Sequence, residues 1–177
     1  MVNVSNILKK DLHHLNAIDL LKEIEWFNKV VDTRMKINFG QDCDYKSIYD
    51  ITAPDHDEDE SVFAEFISFY KLSFNERIIL MLALVPHIYP QLLDVFFSRN
   101  QNIERGHTEF GGLKGTAHSG FLPTGETALF LLAGNDLNRR FKLQQLFDAD
   151  HPFRQHNIIY LSSSPANEPY FSGQLLI

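Results

Sequence analysis

The sequence predicts an α+β fold, mainly α with a C-terminal β-hairpin. Three observations predict it. Apolar residues recur at helical spacing from Leu20 to Met35, and residue types that cap helices stand at Ser73, Thr124 and Asp136, each close before an apolar run. Beyond His151 and Pro152 the period changes to two extended segments around a serine- and proline-rich turn.

The first element is a long amphipathic helix from Leu12 to about Lys36. Leu20, Ile24, Phe27, Val31 and Met35 form one stripe, which Trp26 and Val30 widen. Glu25 with Lys29 and Asp32 with Lys36 are favourable i,i+4 pairs on the opposite side. His13 and His14, near its start, read as surface side chains rather than as metal ligands. Asn38 to Glu60 lacks periodicity and ends in the acidic run Pro54 to Glu60. A calcium-binding hand starting at Asp55 needs Gly at its sixth position and Glu at its twelfth, but those positions hold Glu60 and Phe66. The carboxylates are better explained as hydrated groups near a helix N-terminus, where the dipole favours them.

Val62, Phe63, Phe66, Ile67, Phe69 and Tyr70 form a broad aromatic face. Ser73 and Glu76 then have the spacing of a capping box for a helix, Arg77 to Val85, that is apolar nearly all round and should be the buried centre. Pro86 is expected to close it, and Pro90 to open a third helix, Gln91 to Ser98. Thr124 should cap a helix running through Glu126 to Ala133 and stopping at Gly134. Asn135 or Asp136 should cap another, Leu137 to Phe147, with Leu137, Phe141, Leu143 or Gln144, and Phe147 on its core face. Asn157 to Leu161 and Tyr170 to Ile177 read as the two strands of the hairpin, joined by a turn over Ser162 to Pro169. Helices ending in a hairpin are the order of a winged-helix domain. The expected architecture is therefore a winged-helix-like core preceded by the long helix, with residues 1–60 as helix and acidic connection and residues 61–177 as the core.

Composition narrows the function. The net charge is -7, and residues 1–60 hold seven Lys and Arg against thirteen Asp and Glu, a balance of −6. Such a balance argues against a large phosphate-binding surface. Cys43 is the only cysteine, so neither an internal disulfide nor a thiolate-rich metal site can form, which suits a reducing cytoplasm. The first twenty residues have no secretory signal pattern, and the longest apolar run, Ile78 to Pro86, falls far short of a membrane span. The chain stops on the apolar residues Leu175 to Ile177, and we expect it to be a fragment that continues downstream.

His107 to Thr127 is the stretch richest in functional residue types. Six of nine glycines fall in or beside it, namely Gly106, Gly111, Gly112, Gly115, Gly120 and Gly125. A loop this long is usually functional when it is ordered, and Phe110, Leu113, Phe121 and Leu122 supply anchors. It fails the nucleotide-loop pattern, because Lys114 precedes Gly115 and Thr116 instead of following a second glycine. His107 and Glu109 match the His-x-Glu of zinc deaminases, but a one-cysteine chain lacks their second element. A metal-dependent hydrolase using His107, Glu109 and His118 remains one alternative, and spacing indicates no further protein ligand. The plainer reading assigns no catalytic and no metal residues: the glycines permit tight turns, Phe110 and Phe121 pin the loop to the helices, and Glu109, Lys114 and Glu126 make local polar contacts. That leaves room for a partner-binding loop of His107, Glu109, Lys114, His118 and Glu126. Arg139, Arg140 and Lys142 form a basic patch on a late helix, so a DNA-binding winged helix is the other alternative.

A family resemblance runs through the same region. The segments LALVPH (Leu82 to His87), LLDVFF (Leu92 to Phe97), TEFGGLKG (Thr108 to Gly115), HSGFLPTGETALFLLAG (His118 to Gly134) and SGQLL (Ser172 to Leu176) resemble the N-terminal winged-helix region of bacterial AAA-family ATPases. The likeness is dense over Leu80 to Gly134, looser to Ile177 and absent from the first sixty residues. It implies that an ATPase module, with its ATP and magnesium, would lie downstream, since this chain has no Walker A sequence and no positions matching the family's catalytic residues. It also implies a non-catalytic domain needing no cofactor of its own, which binds a protein substrate, a regulator, a neighbouring subunit or its own ATPase module, in a full-length protein that can oligomerise.

Overall fold

The computed structural model describes residues 4–102, 104–164 and 166–177, with side chains from residue 12 onward. Helix α1 (Val4–Asn38) starts earlier than the periodicity indicates. Its C-terminal half buries the expected Trp26, Phe27, Val30, Val31 and Met35. Further toward the N-terminus the buried positions are Asp19 and Glu23, while Leu20 and Ile24 are only partly covered. The stripe continues at helical spacing through 19, 23, 26 and 30, but carboxylates occupy two of its turns. Of the two expected surface pairs, Asp32 and Lys36 meet at 2.7 Å, whereas Lys29 turns instead to the Tyr45 ring.

Ser61 caps α2 (Val62–Tyr70) by accepting from the Ala64 amide, and Lys71 ends it in the left-handed region. The capping box of Ser73 and Glu76 opens α3 (Phe74–Ile88), most of which is buried as expected. Pro86 does not close this helix. It removes one backbone donor, yet the Tyr89 amide still reaches the Val85 carbonyl at 2.8 Å, so the helix continues for two residues. The expected third helix is a 3₁₀ turn, Pro90–Phe97. Its three-residue repeat puts Leu93 and Phe96 in the core and leaves Val95 and Phe97 exposed.

Three antiparallel strand pairs follow, each strand two residues long. β1 (Arg99–Asn100) pairs with β2 (Arg105–Gly106), and β3 (Leu113–Lys114) with β4 (Phe121–Leu122). Thr124 caps α4 (Gly125–Ala133), in which every residue except Glu126 is buried, and Gly134 ends it at φ +56°. Asp136 caps α5 (Leu137–Gln144), which passes into a 3₁₀ turn at Gln145–Phe147. The expected core face of this helix is wrong at two positions, because Leu137 is 66% and Phe141 65% exposed. Inward apolar contact comes from Leu143, Leu146 and Phe147, while the earlier turns meet the body through Arg139 and Arg140. A short α6 (Pro152–Gln155) stands where the pattern appeared broken.

The terminal strands are shorter than expected: β5 (Tyr160–Leu161) pairs antiparallel with β6 (Leu175–Leu176), and Tyr170–Ser172 is a 3₁₀ turn. Pro165, in the expected turn, lies outside the described residues. The pairing extends through Ser162 N to Gln174 O at 2.8 Å, and Leu175 N donates to Pro123 O at 2.8 Å, so the chain end is sewn to the start of α4. The protein is thus mainly helical with small antiparallel strand pairs. No single described helix is long and apolar enough to cross a membrane.

Candidate functional site

The glycine-rich loop is ordered by a column of phenylalanines. Phe110, fully buried, packs on Phe130 of α4 and on Phe96, and Phe121 stacks on Phe96 at 5.1 Å. The backbone then approaches these rings more closely than any side chain would allow. Gly111 and Gly112 have φ of +60° and +83°, and a Cβ on Gly112 would lie 2.0 Å from the Phe121 ring. The Gly112 amide donates to Thr124 Oγ1 at 3.0 Å, which ties the loop to the cap of α4.

Between the hairpins β1–β2 and β3–β4 lies an open cleft of about 500 Å³. Phe96, Phe97 and Phe121 line it, together with Gly106, Gly111, Gly112 and Leu113, and it carries Arg99, His107 and Lys114. Of the five expected loop residues, only His107 and Lys114 line this cleft. His107 leans on Phe110 and Phe39, with Nδ1 3.3 Å from Glu109 Oε1. His118 folds over Gly120, whose added Cβ would sit 2.5 Å from its Nε2, and that nitrogen is buried without a hydrogen-bond partner. Glu126 faces a separate cleft beside Phe171 and binds Arg140 through both oxygens, at 2.6 and 2.7 Å.

The basic patch is largely committed to the structure around it. Arg140 also lies 3.4 Å from Gly134 O, and the Arg139 guanidinium sits 4.5 Å above the Tyr49 ring. Both stand near the C-terminus of α4, where carbonyls need donors. Arg34 of α1 supplies two of them, from Nε to Leu131 O at 2.8 Å and from Nη2 to Leu132 O at 3.2 Å. Burial lowers the Arg34 pKa and raises that of the Tyr49 hydroxyl, which lies 3.1 Å from Leu132 O. Lys142 remains exposed.

A second constellation escaped the sequence reading. Glu23, fully buried on α1, receives Arg77 of α3 and His56 of the acidic connection on the same oxygen, with His56 Nε2 at 2.8 Å. His56 Nδ1 lies 2.8 Å from Asp59 Oδ2, and the Arg77 guanidinium also donates to Pro54 O at 2.9 Å. Lys22 Nζ bridges Asp19 at 2.9 Å and Asp59 at 2.8 Å. The Lys22 ammonium, with help from His56, holds the Asp59 carboxyl down at about 2, and the same two aspartates raise Lys22.

Asp19, His56 and Asp59 are the one group of three His, Asp, Glu or Cys side chains, among the described residues, whose ligand atoms lie within 4.8 Å of one another. His107, Glu109 and His118 do not gather in this way. The Lys22 ammonium already bridges the two aspartates of the first group. Both His56 nitrogens face carboxylates, which leaves no free lone pair for a substrate. The cluster therefore joins α1, the connection and α3 as a clasp. The sequence does carry a signal for it, since Asp19 and Glu23 fall on the extension of the Trp26 and Val30 face, where an acid must find a partner. Comparison of the chain with protein-family models, with curated proteins and with solved structures finds no match.

Proposed function

We propose that this chain is a non-catalytic interaction domain, the winged-helix-like accessory region of an AAA-type ATPase, and that it meets a protein partner at the cleft between the two small hairpins. The observation that carries the reading is the cleft itself. Its glycine backbone is locked against Phe121 and Thr124, so a surface open to solvent is held in one shape before any partner arrives. The resemblance supports the ATPase context, because its dense part, Leu80 to Gly134, contains the C-terminal part of α3, the phenylalanine column, the cleft and α4.

A DNA-binding reading has less behind it. Arg140 is neutralised by Glu126 and Arg139 is stacked on Tyr49, which leaves Lys142 as the uncommitted cation of that group. Calorimetric titration of the purified chain with magnesium ATP tests the proposal. We expect no binding, and tight nucleotide binding would overturn the assignment as an accessory domain. Duplex DNA supplies a second arm: binding that falls steeply with salt and is lost on Arg139→Ala with Arg140→Ala would replace it by the DNA-binding reading.

A further inference from the structure

We propose that the cleft between β1–β2 and β3–β4 takes an acidic, extended peptide segment with one apolar side chain inserted between its carboxylates. The inference rests on the interaction-domain reading and adds the chemistry of the partner.

Charge is the first argument. The chain carries a net -7, yet the cleft is lined by the cations Arg99 and Lys114 and by no carboxylate. Neither Arg99 nor Lys114 is ion-paired among the described residues, so both charges are open to a partner. Unpaired cations collected at one cleft on an acidic protein attract an anionic partner and repel a basic one.

The floor supplies the second argument. Phe97 and Leu113 are each 41% exposed at the cleft, beside Phe96 and Phe121, so an apolar side chain entering it would be covered on several sides. The walls are two-residue strand pairs, which offer backbone groups to an extended chain. A nucleic acid strand would also find cations and aromatic rings there. It would extend past these two cations into the field of a protein whose first sixty residues carry −6, which favours a short acidic segment over a long polyanion.

Gly106 provides a clean test. A Cβ at this position meets nothing within 4 Å, so Gly106→Trp places a large ring at the cleft without disturbing the backbone. The probe is a labelled nine-residue peptide of aspartate and glutamate around a central leucine, read by fluorescence anisotropy at low salt. Controls are the same peptide with lysine in place of the acids and a nine-nucleotide oligothymidylate. Saturable binding of the acidic peptide is expected, weakened at least tenfold by Gly106→Trp and by Lys114→Glu while the thermal midpoint of Gly106→Trp stays close to wild type. Absence of binding by wild type, binding indifferent to Gly106→Trp, or tighter binding of the oligothymidylate would each overturn the inference. These failures are distinct from nucleotide binding, which strikes the accessory-domain reading itself.

Discussion

Gly112 lies flush against the outer end of the Phe121 ring, so that a Cβ on the glycine would sit 2.0 Å from Cζ. Its φ of +83° adds a second penalty for any other residue. Gly112→Ala should therefore cost about 2 to 4 kcal/mol, from left-handed strain and overpacking together. In thermal melts the midpoint should fall by roughly 4 to 16 °C on the scale for chains of this size. A midpoint within a degree of wild type would show that Phe121 gives way freely and that the loop is not locked.

Glu23 and Arg77 join α1 to α3 in the interior, and each is the other's main compensation. Glu23→Gln leaves Arg77 with only the Pro54 carbonyl and Arg77→Met leaves Glu23 with only His56, so each alone should destabilise by up to about 3 to 5 kcal/mol. The double variant should lose less than the sum. Urea unfolding of the four proteins gives the coupling directly, and strict additivity would mean that the contact contributes nothing.

The acid limb of stability should report on Asp59. Its carboxyl is held at about 2 by Lys22 first and His56 second, below the ordinary 3.8. A depressed acid stabilises the fold above its unfolded value, and that contribution is lost as pH falls through the folded one. Urea midpoints should consequently decline between about pH 4 and pH 2 less steeply in Asp59→Asn than in wild type. Parallel curves would remove Asp59 from the account. Lys22, raised by the same contacts, acts at the other end: its contribution is complete below 10.5 and fades as alkali titrates the folded form.

Leu137→Ser and Phe141→Ser should change stability by less than about 0.5 kcal/mol each, since both side chains already face solvent. Losses of several kcal/mol in chemical unfolding would return them to the core face that periodicity suggests.

Much of the fold is readable because helix ends are local affairs. Ser73 with Glu76, Thr124 with Thr127 and Asp136 with the Arg139 amide all act within three residues, so a short window contains the whole interaction. Pro86 and the Pro90–Phe97 turn are less readable. Proline biases a helix end, and whether the chain stops depends on packing that periodicity does not encode. The loop's importance is visible in its glycines, but its cleft is not, because Arg99 and Gly106 precede the stretch that draws attention. The clasp is hardest to see. Glu23 lies 54 positions from Arg77 and 33 from His56, so its place on the Trp26 and Val30 face shows that the acid needs a partner without showing which one.

Arg34 reaches from α1 to carbonyls 97 and 98 positions further along. Those carbonyls belong to the last turn of α4, so the most buried late helix is finished by a residue made well before it. The nascent chain must therefore keep α1 available until α4 has been synthesised, and closing such a loop is slow compared with forming the helices themselves. A protein cut after residue 60 should accordingly yield neither piece in native form, and adding residues 1–60 back as a separate polypeptide offers a direct route to rescue.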